Sequence, residues 1–130
     1  MIILSIKTDQ PESEFVILDD KKKLTGIKYL AHRDLAKTIH QKINDLLKKT
    51  NLNWKDINGV VCYKGPGSFT GLRIGLTIAN TLAYGLGVPI IGTKGNDWQT
   101  KAIDRLLSGK DDKQVYPFYG AEPHVTKPKK

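Results

Sequence analysis

Residues 65 to 75 read Gly-Pro-Gly-Ser-Phe-Thr-Gly-Leu-Arg-Ile-Gly, between an apolar run at Ile57 to Tyr63 and a stretch of helical periodicity. Three glycines and a proline in seven residues fix a tight backbone path. A strand, a glycine turn and a helix N-terminus are the parts of an anion site, because N–H groups at a helix start point outward and carry the positive end of its dipole. Gly65, Gly67, Ser68, Thr70 and Gly71 are therefore the candidate anion-binding residues. The spacing fits neither standard phosphate loop. Its glycines lie one residue too far apart for the dinucleotide fingerprint, and no Gly-Lys-Ser/Thr follows.

The rest of the chain sets this turn in an α/β domain. Ile2 to Ile6, Glu14 to Leu18 and Leu24 to Leu30 read as three antiparallel strands, with turns at Asp9 to Ser13 and Asp19 to Lys23. From Asp34 to Lys49, Leu35, Ile39, Ile43, Leu46 and Leu47 recur on one helical face; Asp34 is the candidate cap, and Lys48-Lys49 suits the negative end of the dipole. A strand at Ile57 to Tyr63, a helix from about Gly71 to Tyr84, a strand at Val88 to Ile91 and a helix at Trp98 to Leu107 follow. Val115 to Tyr119 is a candidate last strand.

The helix after the glycine turn has an apolar arc of roughly 200° at 100° per residue, about twice what a surface helix on one sheet needs. Gly71, Gly75, Ala79 and Ala83 recur within it at every fourth position, a line that lets another backbone approach closely. Either a partner chain covers this face, or Val115 to Tyr119 or the third helix does. Sequence alone leaves both open.

Composition bounds the rest. A length of 130 residues with 39% hydrophobic content suits one domain with a real core. The apolar opening is too short for a signal peptide, and no stretch approaches a membrane span, so a cytoplasmic protein is expected. Cys62, the single cysteine, sits in an apolar run and reads as a buried structural thiol. His32, His40 and His124 lack metal-ligand spacing, so no metal site is expected. Net charge is +8, with lysines at Lys21 to Lys23, Lys48, Lys49, Lys127, Lys129 and Lys130. No basic stretch is interleaved with aromatics, and the excess reads as a solvated surface with at most a non-specific, salt-sensitive attraction for RNA.

The string GPGSFTGLRIG resembles the signature of the TsaB (YeaZ) family, relatives of the actin, sugar kinase and Hsp70 ATPases. Ile2 to Thr8, Phe15 to Asp20, Asp56 to Val61, Ile78 to Gly85 and Val88 to Gly92 resemble the flanking family segments, so the likeness spans about the first hundred residues. It implies a ribonuclease-H-like fold: three antiparallel strands, then alternating helices and strands. Residues 1–115 are expected to form one subdomain of this type and 116–130 a proline- and lysine-rich tail, in effect half of a usual member. Lys7 departs from the family, whose first strand carries an acidic residue there, so a nucleotide-hydrolysing role does not carry over.

Family membership would imply a non-catalytic scaffold in making threonylcarbamoyladenosine in tRNA. The implied partners are a TsaD-like catalytic subunit and a TsaE-like ATPase, with tRNA as substrate of the complex, and ATP and a metal held by those partners while this chain binds no cofactor. The implied contact is through the two helices, at Leu35, Ile39, Gly71, Leu72, Gly75, Leu76, Ala79 and Ala83. A homodimer when alone stays open. Two rival readings are a nucleotide- or RNA-binding module and a glycoprotease-like hydrolase with Ser68 as nucleophile. Against the hydrolase, no motif places a histidine, and a serine just before a helix is usually its cap.

Overall fold

Apolar alternation in the first thirty residues folds into an antiparallel meander: β1 (Ile2–Lys7), β2 (Glu12–Asp19) and β3 (Lys22–Leu30). The computed structural model describes residues 1–31, 34–67 and 69–119; the expectations for His32, Ser68, His124 and the tail from residue 120 lie outside them. β4 (Gly59–Tyr63) pairs parallel with β1, and β5 (Ile90–Thr93) parallel with β4, giving the sheet order β3-β2-β1-β4-β5. Both strands are short and wholly buried, as parallel strands covered on two faces must be. This is a mixed α/β, ribonuclease-H-like sheet.

Helices cover the two faces unequally. α1 (Leu35–Lys49) packs on β2 and β3, and α2 (Phe69–Leu86) on β1, β4 and β5, with the two helices in contact. α3 (Trp98–Leu107) covers the other face at β4 and β5. A Cβ on Gly59 would press on Leu106, and Tyr63 meets Trp98 edge-on at 5.8 Å, so alternate β4 residues point at α3. The core joins Leu4, Ile6, Phe15 and Ile17 of the meander with Ile39, Ile43 and Leu46 of α1 and Leu72, Leu76 and Ala79 of α2.

Several boundaries differ from the pattern reading. The meander strands run longer because backbone pairing continues up to a two-residue turn at Asp20 and Lys21, where Asp20 takes φ 52°. β4 begins later, since Trp54–Asp56 forms a 3-10 turn that carries Ile57 into the core. Asp34 occupies the cap position of α1 but makes no side-chain cap bond; its carbonyl accepts the Thr38 hydroxyl instead. Val115 to Tyr119 forms no strand. At the β5 edge Asp111 accepts from the Ile90 N–H at 3.1 Å, Asp112 accepts from the Gly92 N–H at 2.9 Å, and the Asp112 N–H donates to the Ile90 carbonyl at 2.8 Å, so side chains take the β5 donors that a regular ladder would use.

Candidate functional site: the glycine turn and the outer side of α2

The glycine turn is shaped by how closely the end of β1 approaches α2. Thr8 is buried and donates its hydroxyl to the Gly71 carbonyl at 2.8 Å. A Cβ on Gly71 would overlap the Thr8 carbonyl, one on Gly75 the Thr8 hydroxyl, and one on Gly67 the Asp9 side chain. Gly65 has φ +132°, and its Cβ would overlap the Phe118 carbonyl. These glycines are required by the chain's own backbone.

A groove of about 950 Å³ opens beside the turn, between Thr8 to Pro11, the start of α1 at Leu35, and Thr70, Gly71 and Ile74 of α2. Asp9 is only 4% exposed on its wall. Its carboxylate is held by Lys7 at 2.6 Å and by Gln10 at 3.2 Å. Lys7 also lies 4.6 Å from the centre of the Tyr63 ring, and the Tyr63 hydroxyl donates to the Pro66 carbonyl at 2.6 Å. Burial, and secondarily the Asp9 charge, push the Tyr63 phenol above its ordinary pKa. A carboxylate against Gly67 disfavours a second anion on the same turn. Of the candidate anion residues, Thr70 and Gly71 line the groove, while Gly65 is buried beneath Phe118.

The expected contact residues have a different location. Leu35, Ile39, Leu72, Gly75, Leu76, Ala79 and Ala83 are all buried within the chain, and Gly71 is partly so. Of the small-residue line, Gly71 and Gly75 face Thr8, just past the end of β1, which fills the space that side chains would need there, while Ala79 and Ala83 are buried in the core. What α2 leaves uncovered is its other side: half-buried Ile74, Ile78 and Leu82, exposed Thr77 and Thr81, and Tyr84 at 91% exposure. Along one flank, the Asn80 amide exchanges two hydrogen bonds with the Val115 backbone, at 2.9 and 2.8 Å. Val115 is thus clasped to the polar flank of α2, outside the apolar arc. Within the arc, Ile74, Ile78 and Leu82 are the large apolar side chains left half-exposed.

A family model described as "TsaD: tRNA N6-adenosine threonylcarbamoyltransferase" matches residues 23–103. "tRNA threonylcarbamoyladenosine biosynthesis protein TsaB" of Escherichia coli (strain K12) is 34% identical over 88 residues, covering 63% of this chain and 38% of that protein. The chain belongs to the TsaB family. The TsaB of Bacillus subtilis (strain 168) is 35% identical over 91 residues, covering 69% of this chain and 39% of its own length. The chain thus spans about two fifths of the length of these TsaB relatives. Among solved structures, "YeaZ from Pseudomonas aeruginosa" superposes with TM-score 0.66 at 22% identity, over 72% of this chain and 43% of that one. Thermus thermophilus RuvC with a Holliday junction substrate superposes with TM-score 0.52 at 12% identity, over 73% and 66%. These likenesses show the shared fold.

In this TsaB-family chain, the carboxylate at the end of β1 comes from Asp9, two residues beyond Lys7, and Lys7 neutralises it. Cys62 is fully buried, its thiol 3.7 Å from the Ile91 carbonyl, and burial pushes its pKa up, which leaves it a poor nucleophile. His40 lies against Trp54, with ring centres 6.2 Å apart. Among the described residues, no group of three His, Cys, Asp or Glu could hold a metal, and no helix is long and apolar enough to cross a membrane. Sequence reasoning missed the Lys7–Asp9 pair and the Asn80 clasp. An acid two residues after a strand lysine was the available signal for the first; the second depends on contacts 35 residues apart.

Proposed function

We propose that this chain is a non-catalytic docking subunit of the machinery that makes threonylcarbamoyladenosine in tRNA. Its partner would be a TsaD-type catalytic protein, which supplies the metal and the transfer chemistry, with a TsaE-type ATPase acting alongside. The carrying observation is the apolar strip Ile74, Ile78 and Leu82 on the uncovered side of α2, in a chain of the TsaB family. Burial of such a strip against another protein is favourable at about 25 cal/mol per Å² of apolar surface. The groove wall supports the same reading, because a buried, lysine-neutralised carboxylate is poorly suited to receive nucleotide phosphates.

The test is gel filtration of this chain mixed with the TsaD-type protein of the same organism. A 1:1 complex is expected, and restored tRNA modification when the remaining components are added. Separate elution of the two proteins at micromolar concentration would remove the docking role; a homodimer that excludes the partner would replace it with self-association.

A further inference from the structure

Folding gathers cations and aromatic rings that the sequence scatters. Lys64 follows β4, Lys94 follows β5, Lys101 lies on α3, and Phe118 belongs to the segment that closes over the glycine turn. Lys64, Lys94, Lys101 and Arg105 line one concavity of about 460 Å³. The Phe118 N–H donates to the Lys64 carbonyl at 2.6 Å, the Lys94 ammonium sits 3.9 Å from the centre of the Phe118 ring, and Lys101 donates to the Lys94 carbonyl at 2.9 Å. Two residues before Phe118, Tyr116 is 68% exposed. It lies beside Arg73 at a smaller cleft.

The acids nearby do not neutralise these lysines. Asp104, on the wall of the concavity, pairs with Lys21 at 3.2 Å, and Asp112 is taken by Arg105 at 2.8 Å. Among the described residues, none of Lys64, Lys94, Lys101 and Arg73 forms an ion pair with a carboxylate. Converging unpaired cations repel one another, and a polyanion relieves that repulsion. Tyr116, two residues along the chain from the ring that Lys94 covers, adds an exposed stacking platform that every base can use.

We propose that this surface binds a single-stranded segment of RNA, with phosphates at Lys64, Lys94 and Lys101 and a base stacked on Tyr116. The surface is distinct from the α2 strip and does not rest on the docking role. It differs also from the lysines conspicuous in the sequence, which lie at the β2–β3 turn, the end of α1 and the tail.

The experiment is fluorescence anisotropy of the full chain with a labelled 12-nucleotide single-stranded RNA across a salt series. Three phosphate contacts predict a slope of about −2 for log Kobs against log salt. Combined Lys64→Ala, Lys94→Ala and Lys101→Ala should weaken binding at least about tenfold and flatten the slope. Tyr116→Ala should cost about tenfold at unchanged slope. Lys22→Ala with Lys48→Ala and Lys49→Ala, a charge-matched control, should change binding less than about twofold if contacts are local. Should the triple variant prove unstable, Lys64→Glu alone repeats the test. No binding at low salt overturns the proposal, as do an equal loss in the control, equal affinity for duplex with no effect of Tyr116→Ala, or preference for phosphatidylserine vesicles over RNA. Complex formation with the TsaD-type protein, measured on the same variants, should be unchanged, so failure of either idea leaves the other standing.

Discussion

α1 and α2 lie side by side on one face of the sheet and bury comparable apolar rows, yet their solvent sides have different chemistry. The outer side of α1 carries Lys37, His40, Gln41, Asp45 and Lys48, with Gln41 bonded to Asp45 at 2.8 Å. That of α2 carries Ile74, Ile78 and Leu82 among threonines, ending in Tyr84. Ile74, Ile78 and Leu82 pack against the rim of the core and stay half-exposed, so part of this apolar strip is left to solvent. In the docking role proposed above, that remaining apolar surface is the contact. In the proposed role, α1 is a support, and α2 a support on one side and the docking element on the other.

The largest expected effect breaks the supporting side of α2. A side chain on Gly75 would overlap Thr8, whose hydroxyl fixes the Gly71 carbonyl. Gly75→Leu should therefore cost more than about 3 kcal/mol, at the upper end of overpacking penalties, and leave little folded chain. Denaturant unfolding measures this directly. A normally stable Gly75→Leu chain that had lost only its partner would return the small-residue line to the interface.

Next in size is the outer side. Ile78→Asp with Leu82→Asp places two charges on the strip while leaving the residues beneath untouched. Pairing with the TsaD-type protein should fall at least about 100-fold, near 3 kcal/mol, because a desolvated unpaired carboxylate opposes burial. Thermal unfolding of the isolated chain should show a smaller loss, from the half-buried packing of both side chains, with the chain still folded. Unimpaired co-elution of the double variant would move the contact elsewhere, with the groove by Leu35 as the next surface to probe.

The same contrast shows what the sequence could reveal. Periodicity identified α1 and α3 nearly to the residue, because each has one apolar face and a polar remainder that fixes its phase. The broad arc of α2 announced that more than a sheet covers it, but width does not say which side meets what. The small side chains at Gly71 and Gly75 read as room for a close partner, since Thr8, the residue that claims their space, lies more than sixty positions away. The Val115 segment failed as a strand for a related reason. Edge capping by Asp111 and Asp112 is side-chain chemistry that no alternation pattern registers.

A smaller effect compares the starts of the two helices. Asp34 makes no side-chain cap bond to α1, so Asp34→Ala should change stability by only a few tenths of a kcal/mol. Ser68 immediately precedes α2 in sequence, and on the sequence reading of it as a cap, Ser68→Ala should cost about 1 kcal/mol with tRNA modification by the reconstituted complex near normal. Complete loss of modification by Ser68→Ala, with fold and pairing intact, would revive a nucleophilic serine.

The smallest effect belongs to the polar side of α1. Lys37→Glu and Gln41→Glu alter exposed positions without disturbing Leu35, Ile39 or Ile43 beneath, so stability should stay within about 0.5 kcal/mol. Pairing should be unchanged as well, since reversing charge on a fully solvated side costs nothing where no partner surface approaches. Side-by-side titration of this variant and Ile78→Asp/Leu82→Asp against the same TsaD-type protein measures the asymmetry in one experiment. Equal weakening by both would mean that the partner straddles the two helices, with α1 contributing polar contacts at the rim and α2 the apolar centre. Weakening by the α1 variant alone would reverse the assignment and leave the strip at Ile74, Ile78 and Leu82 to self-association, detectable as a concentration-dependent dimer of the isolated chain.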